Sequence, residues 1–129
     1  MGPAHWFAAG AVAAGLAVGL GAFAAHGLKS RVSPEMLVIF ETGVRYHLIH
    51  ALGLIAVAWA SDRFASGWVA GAGWAFIIGI VVFSGSLYVL ATTGVRWLGA
   101  ITPIGGVAFL VGWALLAATA LRSSGGSGS

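Results

Sequence analysis

The sequence predicts an all-α integral membrane protein, a compact bundle of four transmembrane helices, and three observations carry that prediction. Of its 129 residues, 60% are hydrophobic and 7% charged, against roughly 25% charged in a soluble domain; so little charge cannot cover a soluble surface. Mean hydropathy is +1.01. Four stretches, about residues 6–26, 36–60, 68–91 and 98–121, are apolar enough and long enough to cross roughly 30 Å of hydrocarbon at about 1.5 Å per residue. At this length residues 1–122 form one transmembrane domain. Residues 123–129, all serine and glycine, have linker composition and read as an appended tail.

The same composition excludes several classes. The net charge is only +3 and the basic residues are scattered, so there is no nucleic-acid footprint. Without cysteine there are no disulfides, thiolate metal sites or Cys nucleophiles. No Ser–His–Asp order, Walker loop, HExxH or dinucleotide fingerprint is present. Catalysis has no positive support, and neither a cofactor nor a bound metal is expected.

Taken in order, the first span is uncharged from Phe7 to Ala25. Ala22-Phe23-Ala24 resembles a signal-peptide cleavage site, but the preceding Met1-Gly2-Pro3-Ala4-His5 carries no Lys or Arg, so the stretch reads as a retained helix. Ala11-xxx-Gly15-xxx-Gly19 places small residues on one face, suited to close approach of another helix. Gly27 is placed to end this helix. Ser33-Pro34-Glu35 is a helix start: Ser33 can cap, Pro34 fits the first helical position, and Glu35 suits the positive end of the dipole. The second helix can run from Pro34 to about Ala60, longer than a membrane requires. Asp62-Arg63 opens the second loop. The third span carries Gly67-xxx-Gly71 as a second packing motif and, late on, Ser84-Gly85-Ser86-Leu87-Tyr88. After the loop around Gly94, Thr102-Pro103 interrupts the fourth span. Either the helix kinks there, or Thr102 caps a helix beginning at Pro103 and the preceding residues form a short interfacial turn.

Polar chemistry concentrates in Phe40-Glu41-Thr42-Gly43-Val44-Arg45-Tyr46-His47-Leu48-Ile49-His50. Glu41 and Arg45 have the spacing and order of a helical ion pair, and with Tyr46 they suit an anchor at headgroup level. At about 100° per residue His50 falls nearly opposite Glu41, with Gly43 and His47 closer to His50. His47 and His50, joined by His26, could in principle share a metal ion or relay protons. Histidine in such a setting is more often a hydrogen-bonded packing residue, and no carboxylate is spaced with these. Ser84, Ser86, Tyr88 and Thr102 are hydroxyls in apolar surroundings, a type usually spent on hydrogen bonds within or between helices.

Gly21-Ala22-Phe23-Ala24-Ala25-His26-Gly27-Leu28 and the Phe40–His50 stretch, continued by Ala51-Leu52, resemble the small bacterial membrane proteins grouped as domain of unknown function 423, a group that includes human transmembrane protein 256. Phe83-Ser84-Gly85-Ser86-Leu87-Tyr88 and Leu98-Gly99-Ala100-Ile101-Thr102-Pro103-Ile104-Gly105-Gly106-Val107-Ala108-Phe109 are similar to the family's later motifs. The resemblance implies a fold, membrane residence and a set of motif positions; it implies no reaction. Two positions depart from the family pattern: Ala24 stands where it leads one to expect Gly, and His47 where it leads one to expect Gln. That leaves His26, Arg45 and His50 as the better candidates for a buried function.

Three readings of function follow. One is a non-enzymatic packing, accessory or assembly component, working as a homo-oligomer or with other membrane proteins in the lipid bilayer. Another is an oligomeric transporter or channel for small solutes or ions, using the polar residues of the second helix. The third, kept for the histidines, is a membrane enzyme or haem carrier. Transport requires a water-accessible cavity reaching Arg45 and His50. The expected location is the bacterial plasma (inner) membrane. Lys29, Arg31 and Arg96 against Arg63 and Arg122 favour cytoplasmic placement of loops 27–33 and 92–97.

Overall fold

In the computed structural model, which describes the backbone of residues 1–127 and the side chains of residues 1–124, four helical spans are long and apolar enough to cross a membrane. The first is α1 (Pro3–His26), followed by a 3-10 turn at Leu28–Ser30, and the second is α2 (Pro34–Arg63). The third span is α3 (Gly67–Gly79), a π turn at Ile80–Ser84, and α4 (Gly85–Thr93). A 3-10 turn at Arg96–Ala100 then leads into α5 (Thr102–Ser127).

The helix ends follow from local chemistry. The Ser33 hydroxyl accepts from the Met36 N–H at 3.2 Å, with Pro34 behind it and Glu35 in the first turn. Gly27 ends α1, its N–H donating to the Phe23 carbonyl. Gly94 ends α4 in the left-handed region at φ 75°, where a side chain is strained. Gly94→Ala is expected to destabilise the fold by about 1 kcal/mol, measurable as a lowered midpoint of thermal unfolding in detergent; an unchanged midpoint would show that the loop relaxes freely.

The structure supplies detail at three places. In the third span a π turn at Ile80–Ser84 widens the helix. Of the two readings at Thr102-Pro103, the short preceding turn is present, but Thr102 does not cap. Its hydroxyl lies 2.6 Å from Ser86 Oγ. α5 continues through Ser127, and residues 128–129 lie outside the described residues.

α2 is the central helix. It packs against α1 along one side and against α3, the π turn and α4 along another, while α5 lies mainly on α3 and the π turn. Between the third span and α5 the contacts pair phenylalanine with glycine. The Phe76 ring covers Gly112 and the Phe109 ring covers Gly79, while Gly105 lies against the main chain and Cβ of Phe83. A ring fits only where the facing residue has no Cβ, so this antiparallel register brings the two helices into close contact. Trp6, fully buried, sits the same way on Gly73, and Gly10 receives Ile55. The packing motifs expected from spacing behave differently. A Cβ added at Gly15, Gly19 or Gly67 would meet no other part of the fold within 4 Å, and at Gly71 it would meet only Leu115. Within one chain, then, the α1 small-residue face points outward, because α1 packs on α2 through Gly10, Ala17 and Ala24 instead.

Two apolar clusters result. One gathers Trp6, Leu54, Val57, Val69, Phe76 and Phe109, and the other Ala24, Leu28, Phe40 and Ala91. At the surface, Arg96 reaches Glu35 at 3.4 Å, placing the first and third loops at the same end of the bundle. Both side chains are more than half exposed, so the pair contributes little. At the other end Arg122 stacks on Trp68, 4.4 Å from the ring centre, joining the start of α3 to the end of α5.

Candidate functional site

Between the two apolar clusters lies a layer of buried polar side chains, and each is placed by the face of α2 from which it projects. Gly43, His47 and His50 point inward, and Glu41 and Arg45 point outward. This is the separation that helical geometry requires of positions roughly 100° apart per residue.

His50 is 3% exposed and sealed by aromatic rings. Its imidazole stacks on Phe109 with centroids 3.5 Å apart and 8° between planes, with Phe76 edge-on at 5.3 Å. Nδ1 lies 2.7 Å from the Tyr46 carbonyl, and the Trp113 indole N–H donates to Nε2 at 3.0 Å. A carbonyl only accepts and an indole only donates. Nδ1 therefore carries the hydrogen, Nε2 offers its lone pair, and the ring is neutral. With both nitrogens used, this imidazole has no lone pair for a metal and no free site for a proton in transit.

His47, also buried, has Nδ1 2.9 Å from the Tyr88 hydroxyl on α4. One turn earlier the Gly43 carbonyl accepts from the buried Ser84 hydroxyl at 2.7 Å. Gly43 is required here: an added Cβ would stand 2.8 Å from Cε1 of Tyr88, and Tyr88 is held by its bond to His47. The Ser86 hydroxyl lies 2.9 Å from the Phe83 carbonyl, inside the π turn. The Thr102 hydroxyl lies 3.3 Å from the Leu98 carbonyl and 2.6 Å from Ser86 Oγ, so the two hydroxyls and the two carbonyls share two hydrogens and either hydroxyl can donate to the other. Hydrogen bonds thus join α2 to α4, α2 to the π turn, α2 to α5, and α4 to α5.

The remaining sequence candidates lie elsewhere. His26 is exposed at the last turn of α1. Among the described residues no three His, Asp or Glu side chains gather as a ligand set. Tyr46 is part of the layer through its carbonyl and through its ring, which packs on Phe83 and Phe109. His47, which the family pattern demotes, belongs to the layer as well. A glutamine there would also offer a donor and an acceptor to Tyr88. Trp113, Phe109 and Phe76 complete the site and were not singled out by sequence. Their signal, an aromatic on one helix and a glycine on the facing one, appears only when both are read together.

Glu41 and Arg45 are exposed and form no ion pair with each other, although their spacing permits one; the ion pair found among the described residues is Arg96–Glu35. For a hydrocarbon layer about 30 Å thick centred on α2, Arg45 lies roughly 9 Å inside its boundary and Glu41 near it. An unpaired charge at the centre of a span costs about 2.5–3.5 kcal/mol on insertion scales, less towards the edge where long side chains reach the headgroups.

An apolar crevice of about 490 Å³ opens between α1, α2 and α3, walled by Ala9, Ala13, Leu16, Leu54 and Ile77. It reaches His47, but neither His50 nor Arg45 lines it.

Residues 20–106 match a family model described as "Protein of unknown function (DUF423)". The chain is 51% identical over 114 residues to the UPF0382 membrane protein YwdK of Bacillus subtilis strain 168, covering 88% of this chain and 93% of that protein. It is 50% identical over 109 residues to the UPF0382 membrane protein SSP2132 of Staphylococcus saprophyticus, covering 83% and 88%. With the UPF0382 membrane protein SERP0230 of Staphylococcus epidermidis it shares 48% over 116 residues, covering 90% and 94%. No solved structure matches it.

Proposed function

We propose, for a chain that belongs to the DUF423 family of small bacterial membrane proteins, a non-enzymatic role exerted through packing, as an accessory or assembly component of the plasma membrane. The observation that carries this reading is the closure of His50: the most deeply placed ionisable group of α2 has both nitrogens bound by protein and its faces covered by rings. The polar layer spends its donors and acceptors on holding helices together. What it leaves for function is the outer surface, which would meet another copy, other membrane proteins or lipid. Loops 27–33 and 92–97 would face the cytoplasm, a reading supported by the excess of Lys29, Arg31 and Arg96 over Arg63 and Arg122.

The competing reading, a small-solute or ion path, is tested directly. Purified protein in liposomes is expected to give proton and anion flux equal to protein-free liposomes, and Arg45→Ala and His50→Ala to give the same. Flux in the wild type that either substitution abolishes would replace the packing role by transport. Cysteine placed in either loop, in a chain that has none, is expected to react with impermeant maleimide only after the membrane is opened.

A further inference from the structure

We propose that the outer face of α2 is the contact between two parallel copies of this chain, with Glu41 of each copy paired to Arg45 of the other. The proposal rests on the packing role and names its partner.

The exposed face of α2 is one continuous stripe. Val38, Arg45, Leu52 and Trp59 recur every seven residues, with Glu41, Ile49 and Ala56 beside them, and all are exposed. A seven-residue repeat is the seam of two helices crossing at a small left-handed angle, the commonest crossing in membranes. α1 and α5 also present apolar surface to lipid, but neither carries an Asp, Glu, Lys or Arg within its spanning part. The stripe on α2 does, and its two charges form no ion pair among the described residues.

Charge decides the occupant. An acid and a base one helical turn apart make the stripe self-complementary under a two-fold axis along the membrane normal. Each guanidinium then stands one turn, about 6 Å, deeper than the other copy's carboxylate, a step that its long side chain spans, and the two carboxylates offset the approach of the two guanidinium groups across the axis. An antiparallel copy would put Arg45 at the wrong depth. A lipid phosphate would satisfy Arg45 and bring a like charge towards Glu41. In the parallel pair, Leu52 of one copy meets Leu52 of the other across the axis.

The absence of cysteine gives a clean test. Leu52→Cys, oxidised in native membranes, is expected to yield a covalent dimer, and Gly15→Cys on α1 and Leu110→Cys on α5 at least tenfold less. In the Leu52→Cys background, Glu41→Arg and Arg45→Glu are each expected to reduce the dimer at least tenfold. The two, differently tagged and expressed together, are expected to restore it as a mixed dimer, although neither retains an acid–base pair within its own helix. The exchanged variant Glu41→Arg/Arg45→Glu should crosslink like the parent, reporting that the fold survives the changes. Crosslinking through Gly15→Cys or Leu110→Cys in place of Leu52→Cys overturns the α2 contact and leaves the packing role standing. So does failure of the mixed dimer while the exchanged variant crosslinks, which assigns the charges to lipid or to one helix. A chain that crosslinks at none of the three positions, runs as a monomer by native mass spectrometry, and conducts in liposomes overturns both.

Discussion

Replacing Gly105 with alanine is expected to be the most damaging single-methyl change in the protein. An added Cβ at this position would overlap the backbone nitrogen of Phe83 and stand 2.7 Å from its Cβ and 2.8 Å from its Cα. Two of those three atoms are main chain, so no rotamer change relieves the contact; α5 must move away from the π turn. That movement also strains the Phe109 ring on Gly79 and the Phe76 ring on Gly112, because the three contacts share one register. Overpacking of a rigid contact costs about 1–3 kcal/mol, occasionally more, and this site belongs at or above the upper end. The helix preference of alanine over glycine, about 1 kcal/mol, offsets only part. Gly85→Ala is the control. Gly85 has helical backbone angles and open space where a Cβ would stand, so only the preference term operates and the variant should be slightly more stable. Unfolding in detergent, followed by heat or denaturant, measures both. A Gly105→Ala protein as stable as the parent would mean that the α5–π turn contact is looser than it is described.

The same register shows which parts of the fold could be read in advance. Span number, the Ser33 cap, the Gly27 stop and the break before Pro103 follow from hydropathy and local chemistry, which one segment carries by itself. Packing partners do not. Gly15 and Gly19 form a recognisable small-residue motif, yet they face outward in the single chain, because the motif says that a helix can approach and not which helix does. Phe76, Gly79 and Phe83 match Gly112, Phe109 and Gly105 only when α5 is laid antiparallel to the third span, a pairing that neither segment states. The π turn was hidden for a related reason. No proline or charge marks Ile80–Ser84, and what it supplies is a Phe83 carbonyl for Ser86 and a backbone that meets Gly105. In the polar stretch, angle along the helix separated His50 from Glu41 correctly. Which side was buried depended on Trp113, Phe109 and Phe76, from other helices.

Substitution of His50 separates the two contributions that the polar layer makes. His50→Ala removes hydrogen bonds to Trp113 and Tyr46 and also a ring packed face to face on Phe109. Interhelical hydrogen bonds in membrane proteins average about 0.6 kcal/mol, with a maximum near 1.7. Truncating a large buried side chain to alanine costs about 2–5 kcal/mol. Packing should therefore dominate, giving a total loss of about 3 kcal/mol or more. Trp113→Phe tests the smaller term by removing the indole donor while keeping an aromatic ring beside Phe76, from which Trp113 is 4.7 Å centre to centre. Its loss is expected to stay below about 2 kcal/mol. The double variant His50→Ala/Trp113→Phe closes a cycle whose coupling energy is the bond itself, near 0.6 kcal/mol. A coupling as large as the whole His50→Ala loss would reverse the assignment, making hydrogen bonding and not ring packing the reason for a histidine at the centre of the bundle. A chain with His50→Ala that unfolds at the parent's midpoint would remove the structural account of this residue, and with it the observation on which the packing role rests.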